Sequence, residues 1–240
     1  MNILRILVLF SWLISAVLSA NPFTDEVDKA QPDAVELEQA QKQIEQPLPE
    51  EITEPLFVPS FHQYADKPGL PATLCLSCHS DAVHRKSPRK RAFLNMHARI
   101  IACETCHWKP EEKTLEYRWK KVEGSGHDKG MIIPWLGKKP VITMKNEPWA
   151  HKLKQDWDKA SDAEKVKIKA RLHHPLKQTG PGCGACHRHE DNLLNMQALD
   201  YQPGRVRELE LNPTARFIER TEPQSEDEPV QRLHLRDLLE

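Results

Sequence analysis

All six cysteines of this 240-residue chain fall in three copies of one pentapeptide: Cys75-Leu-Ser-Cys78-His79, Cys103-Glu-Thr-Cys106-His107 and Cys183-Gly-Ala-Cys186-His187. No cysteine is left over. Two cysteines three positions apart on a helical turn present their sulfurs on one side, with a histidine beside the second. Any fold for this chain must therefore place three sulfur–sulfur–imidazole sites.

Several chemistries use paired cysteines, and most do not fit. Zinc ribbons take Cys-x-x-Cys motifs in pairs, giving two or four rather than three. A thioredoxin-like redox disulfide uses a single motif in a strand–helix context. Structural disulfides occur in exported proteins, but they do not explain a histidine after the second cysteine every time. The pattern is the attachment signature of c-type haem. Each sulfur can form a thioether to one haem vinyl group, and the adjacent histidine can reach the iron as proximal ligand. The expected cofactor is three covalent haems c. Their attachment residues are Cys75, Cys78, Cys103, Cys106, Cys183 and Cys186, and their proximal ligands are His79, His107 and His187.

On these motifs and a surplus of histidines, residues 57–189 resemble the multihaem c-type cytochromes of bacterial periplasms, the broad class that includes cytochromes c3 and c7. The resemblance implies closely stacked haems, sparse secondary structure and two histidine ligands on most irons. The chain departs from the small members in the long gap between His107 and Cys183, and no histidine directly doubles a motif histidine. Haem order and distal ligands therefore do not carry over.

Three bis-histidine haems need three further histidines. Each motif is preceded by candidates: His62 before Cys75, His97 before Cys103, and His173 or His174 before Cys183. His97 leads, because it shares a helical face with Phe93, Ile100 and Ile101. Which iron each serves stays open. His84, His127, His151 and His189 are reserves, and His234 reads as surface. Met96, Met131, Met144 and Met196 are alternatives that would raise a haem's potential, although methionine more often fills a core. Trp108, Trp119, Trp135, Trp149 and Trp157 suit either haem walls or a modest helical core.

Charge divides the chain. Residues 1–56 carry a net −7, residues 57–200 a net +9 and residues 201–240 a net −3. The basic middle largely balances haem propionates, and the cluster at residues 85–91 suits steering of an anionic partner. At the N-terminus, Asn2 and Arg5 precede an apolar run over residues 6–18, with small Ser19 and Ala20 next. This predicts a signal peptide at residues 1–20. An uncleaved inner-membrane anchor is the alternative, though the run is short for a bilayer. Residues 21–56, acidic and rich in proline and glutamine, predict a disordered or loosely helical tether, with a weak helix at residues 37–44. The trihaem domain spans residues 57–201. Residues 202–240 predict short helices and an acidic tail.

Within the domain, periodicity predicts a helix over residues 88–102, loop over 120–148, and a helix on which Trp149, Leu153 and Trp157 recur. A second helix opens on the capping box Ser161–Glu164 and ends before Pro175. Residues 203–211 and 213–220 predict short helices, the second capped by Asn212. The expected fold class is mainly α with much irregular structure, organised around three covalent haems. The expected function is electron transfer in the periplasm between periplasmic or membrane, quinol-linked redox proteins. No small-molecule substrate is required and no nucleic acid is expected. The alternative is a haem reductase, or its electron-input subunit, acting on a small nitrogen or sulfur compound.

Overall fold

A computed structural model describes residues 21–46, 70–79, 84, 88–108, 110 and 113–220, with side chains omitted for residues 88–92. The expectations for the signal peptide, His62, the basic cluster at 85–91, His234 and the acidic C-terminal tail lie outside the described residues or side chains. The architecture is mainly helical, with a small sheet and much irregular chain.

The elements run α1 (Pro22–Lys29), α2 (Ala34–Glu45), α3 (Leu74–Cys78), α4 (Pro88–His97), α5 (Cys103–His107), β1 (Glu116–Lys120), β2 (Met131–Leu136), β3 (Lys139–Pro140), α6 (Pro148–Lys159), α7 (Asp162–His173), a 3-10 turn (Cys183–Ala185), α8 (Pro203–Glu210) and α9 (Pro213–Arg220). Local signals explain most of the helix starts. Ser161 and Glu164 form the expected capping box on α7, which stops at His173 before Pro175 because proline cannot continue the ladder. Proline opens α6 and α8 at a position where its missing N–H costs nothing. Asn212 caps α9 through Ala215 N, 2.9 Å from its Oδ1. Helix α4 ends at His97, earlier than periodicity predicts, and Ile101 instead bridges to Ile132.

The loop expected over residues 120–148 is corrected by an antiparallel sheet in the order β1-β2-β3, with Trp119 opposite Ile132 and Trp135 opposite Pro140. Strand β2 escapes a search for alternation because both its faces are covered, a pattern that reads as a continuous apolar run. Met131 and Ile133 join Ala102, Val122 and Ile142 on one side. Ile132 joins Leu194, Leu199 and Val206 on the other.

The tether expected at the N-terminus is corrected over residues 21–46. Asp33 and Glu36 form a capping box on α2. Asn21 caps α1 and donates from Nδ2 to Ile142 O at 2.8 Å and Thr143 Oγ1 at 3.0 Å. Phe23 and Val27 enter a third cluster with Trp108 and Val141. Composition made the segment look unable to offset its ordering entropy. Phe23, Val27 and Ala40 are buried against apolar surface that the body supplies, and Glu36 pairs with His174.

Candidate metal centres

The three pentapeptides hang from the sheet and its flanking chain. The first motif forms α3, capped by Thr73 and anchored by Leu74 N to Thr143 O at 2.8 Å. The second forms α5 and is held to β2 on both sides of its start. Ala102 N donates to Ile132 O at 3.0 Å, and Thr105 Oγ1 donates to the same oxygen at 3.1 Å. The third is a tight 3-10 turn in which Gly184 packs against the Glu219 carboxylate of α9, the movable end of a flexible side chain. Leu193 N closes on Ala185 O at 2.7 Å.

None of the six cysteines is disulfide-bonded. The motifs neighbour one another through them. Cys75 contacts Cys103 and lies 3.6 Å from Glu104 Oε1. The Cys103 contact, burial and the Glu104 charge together hold the Cys75 thiol well above its ordinary range. Burial, with Cys106 nearby, pushes Cys186 up to about 11. Tyr117 of β1 sits beside both Cys106 and Cys186, and burial pushes its hydroxyl up to about 12. The second motif therefore lies between the first and the third.

Each motif histidine faces one histidine from elsewhere in the chain. The ring centroids of His79 and His173 are 6.1 Å apart with planes at 82°. Those of His107 and His84 are 6.3 Å apart at 19°. Those of His187 and His97 are 6.2 Å apart at 30°. Two imidazoles on opposite sides of one metal, each bonded through Nε2 at about 2.0 Å, have centroids on the order of 6 Å apart.

Hydrogen bonds at the other ring nitrogen suit that role. The Nδ1 of His107 lies 2.8 Å from Lys177 O, that of His187 2.7 Å from Leu209 O, and that of His173 2.8 Å from Lys169 O. His84 Nδ1 lies 3.2 Å from Asn95 Oδ1. An acceptor at Nδ1 fixes the proton there and leaves Nε2 bare for a metal. Burial lowers the pKa of His84, His97 and His173 below the ordinary histidine value, favouring the neutral, ligating form.

The remaining histidines are engaged otherwise. His174 pairs with Glu36 at 2.9 Å, linking α7 to α2. His127 stacks on Trp119 at 4.5 Å. His189 meets Glu210 at 3.2 Å, and His151 is exposed on α6. Met131 and Met196 are core residues and Met96 is exposed. Trp108 is fully buried among core residues, and Trp119 donates to Leu199 O at 3.0 Å. The sequence alone held His84 in reserve, because a histidine in a polar stretch carries no periodic signal of burial, whereas the structure sets its ring against that of His107. It ranked His173 and His174 together, although adjacent helical residues face different directions.

Among the described residues no group of three or more His, Cys, Asp or Glu side chains converges into a direct metal cage. Two imidazoles alone are a poor cage for a bare ion. They suit an iron whose four equatorial ligands come from a porphyrin. Among the described residues no helix is long and apolar enough to cross a membrane. Compared with protein-family models, curated proteins and solved structures, the chain matches none.

Proposed function

We propose that this protein is an exported trihaem c-type cytochrome that relays electrons between redox proteins of the periplasm or its membrane. The observation that carries the reading is that every Cys-x-x-Cys-His histidine faces a second imidazole at 6.1–6.3 Å. Covalent haem would supply one-electron chemistry at each site. The chain's own contribution is to hold it. The paired thiols of each motif would tether a haem, and the facing imidazoles, several of them anchored at Nδ1 by a carbonyl, would hold its iron. Ligation, burial and hydrogen bonding would tune the potentials.

With two imidazoles available to hold iron at each motif, no site is short of a histidine ligand, which favours a carrier over a reductase. Cys103 beside Cys75, and Cys106 near Cys186, support a relay that passes from one attachment site to the next.

The test is the intact mass of the mature protein from a host that matures c-type cytochromes, read beside its visible spectrum. The expected result is the mass of three haems, processing after Ala20, and a low-spin spectrum that reduces fully. A colourless product with six unmodified or oxidised thiols would overturn the proposal.

A further inference from the structure

Resting on the haem reading above, we propose that axial ligands are exchanged between the motifs. His173 serves the haem on Cys75 and Cys78, His84 the haem on Cys103 and Cys106, and His97 the haem on Cys183 and Cys186. None of these is a simple nearest-in-sequence assignment. His84 and His97 both lie between the first two motifs, yet they face the second and third. His173 precedes the third motif and faces the first.

Three observations converge on this set. The ring pairs have the separation of trans ligands. His84 and His173 have Nδ1 against an oxygen, so Nε2 carries the free lone pair. The neighbours that sequence reasoning ranked beside them point elsewhere, His174 to Glu36 and His127 to Trp119. Each bond is a lone-pair donation from Nε2 to iron. No electron is transferred, and the imidazole keeps its remaining proton.

The assignment also ties the fold together. One ligand pair joins α3 to the end of α7, a second joins the residue 84 segment to α5, and a third joins the end of α4 to the turn that follows Cys183. Each iron would bridge elements whose direct packing is sparse.

The ring planes provide a fingerprint for each site. Imidazoles at 82° interact with both iron dπ orbitals equally and leave them nearly degenerate, giving a highly anisotropic low-spin ferric signal. Imidazoles at 19° and 30° act on one dπ orbital preferentially and give rhombic signals. The first haem is therefore electronically distinct from the other two.

The experiment is electron paramagnetic resonance of the full mature holoprotein, with haem number counted by mass in every sample. The wild type is expected to show one highly anisotropic and two rhombic low-spin signals. His173→Ala removes the anisotropic signal and leaves one haem in three high-spin. His84→Ala and His97→Ala each remove one rhombic signal. His174→Ala and His127→Ala leave all three signals intact. If an alanine variant does not accumulate, His→Met at the same position retains a sixth ligand and adds a sulfur-to-iron charge-transfer band for that haem alone. Three haems by mass with an unchanged spectrum in the His173, His84 or His97 variants would overturn the assignment while the cytochrome reading stands. Absence of haem from the wild type would overturn both.

Discussion

The indole N–H of Trp108, a residue with no exposed surface, donates to the Glu26 carboxylate at 2.8 Å. Trp108 directly follows a motif histidine, and Glu26 belongs to the helix expected to be a loose tether. The contact locks the N-terminal segment to the second motif. Lys113 completes it at 2.9 Å from the other carboxylate oxygen.

Removing this lock should cost stability. Glu26→Ala strands a buried donor, at a cost of about 1–3 kcal/mol. Phe23→Ala opens a cavity beside Trp108 and should cost roughly 3 kcal/mol or more. Guanidinium titration followed by far-ultraviolet circular dichroism measures both. Midpoints equal to wild type would show that α1 does not contribute to the folded body.

Burial pushes the Glu104 carboxyl from an ordinary 4.5 up to about 7, against hydrogen bonds from its own amide, Cys75 and the Thr143 amide. Between those values the folded chain holds a proton that the unfolded chain has released. Stability therefore falls as pH rises from about 4.5 to about 7 and levels off above. The magnitude is roughly 3 kcal/mol. Glu104→Gln removes the titrating proton, so unfolding midpoints of variant and wild type, compared across this window, should diverge progressively. Parallel curves would rule out a buried neutral carboxyl.

Asn95 accepts from both the backbone N–H of His84 at 3.1 Å and its ring Nδ1 at 3.2 Å. Asn95→Ala leaves the imidazole unsupported. On the proposed trihaem reading, carbon monoxide should then bind the ferrous protein at one haem in three, at least about tenfold faster than in wild type. Asn95→Asp restores an acceptor and should reverse the effect. Stopped-flow absorbance reads the change, and an unaltered rate in Asn95→Ala would remove Asn95 from the support of that ligand.

Gly130 turns the chain between β1 and β2 at φ +100°, and a Cβ there would strike the Lys120 carbonyl. Gly130→Ala combines a strained backbone with a backbone clash and should destabilise by roughly 2 kcal/mol or more. Thermal unfolding measures it. Gly137 has φ +60° but open space around it, so Gly137→Ala should cost less.

The helices after residue 147 were legible because their signals are local. Pro148, the Ser161–Glu164 box, Pro203 and Asn212 each act within one turn. Strand β2 was not legible, since an apolar run buried on both faces has no period to detect. Helix α2 contains the helix expected at residues 37–44, but α1 was missed because acidic composition concealed Phe23 and Val27, whose partners Trp108 and Val141 lie far along the chain.

The sequence by itself determined the three Cys-x-x-Cys-His sites, because two cysteines and the adjacent imidazole are specified within five consecutive residues. Only the tertiary structure decided which histidines confront them. His173 rather than His174 meets His79, and His84 rather than His127 meets His107. These choices depend on where a helix ends and which way one side chain points after distant segments pack. No short-range rule of spacing carries that information.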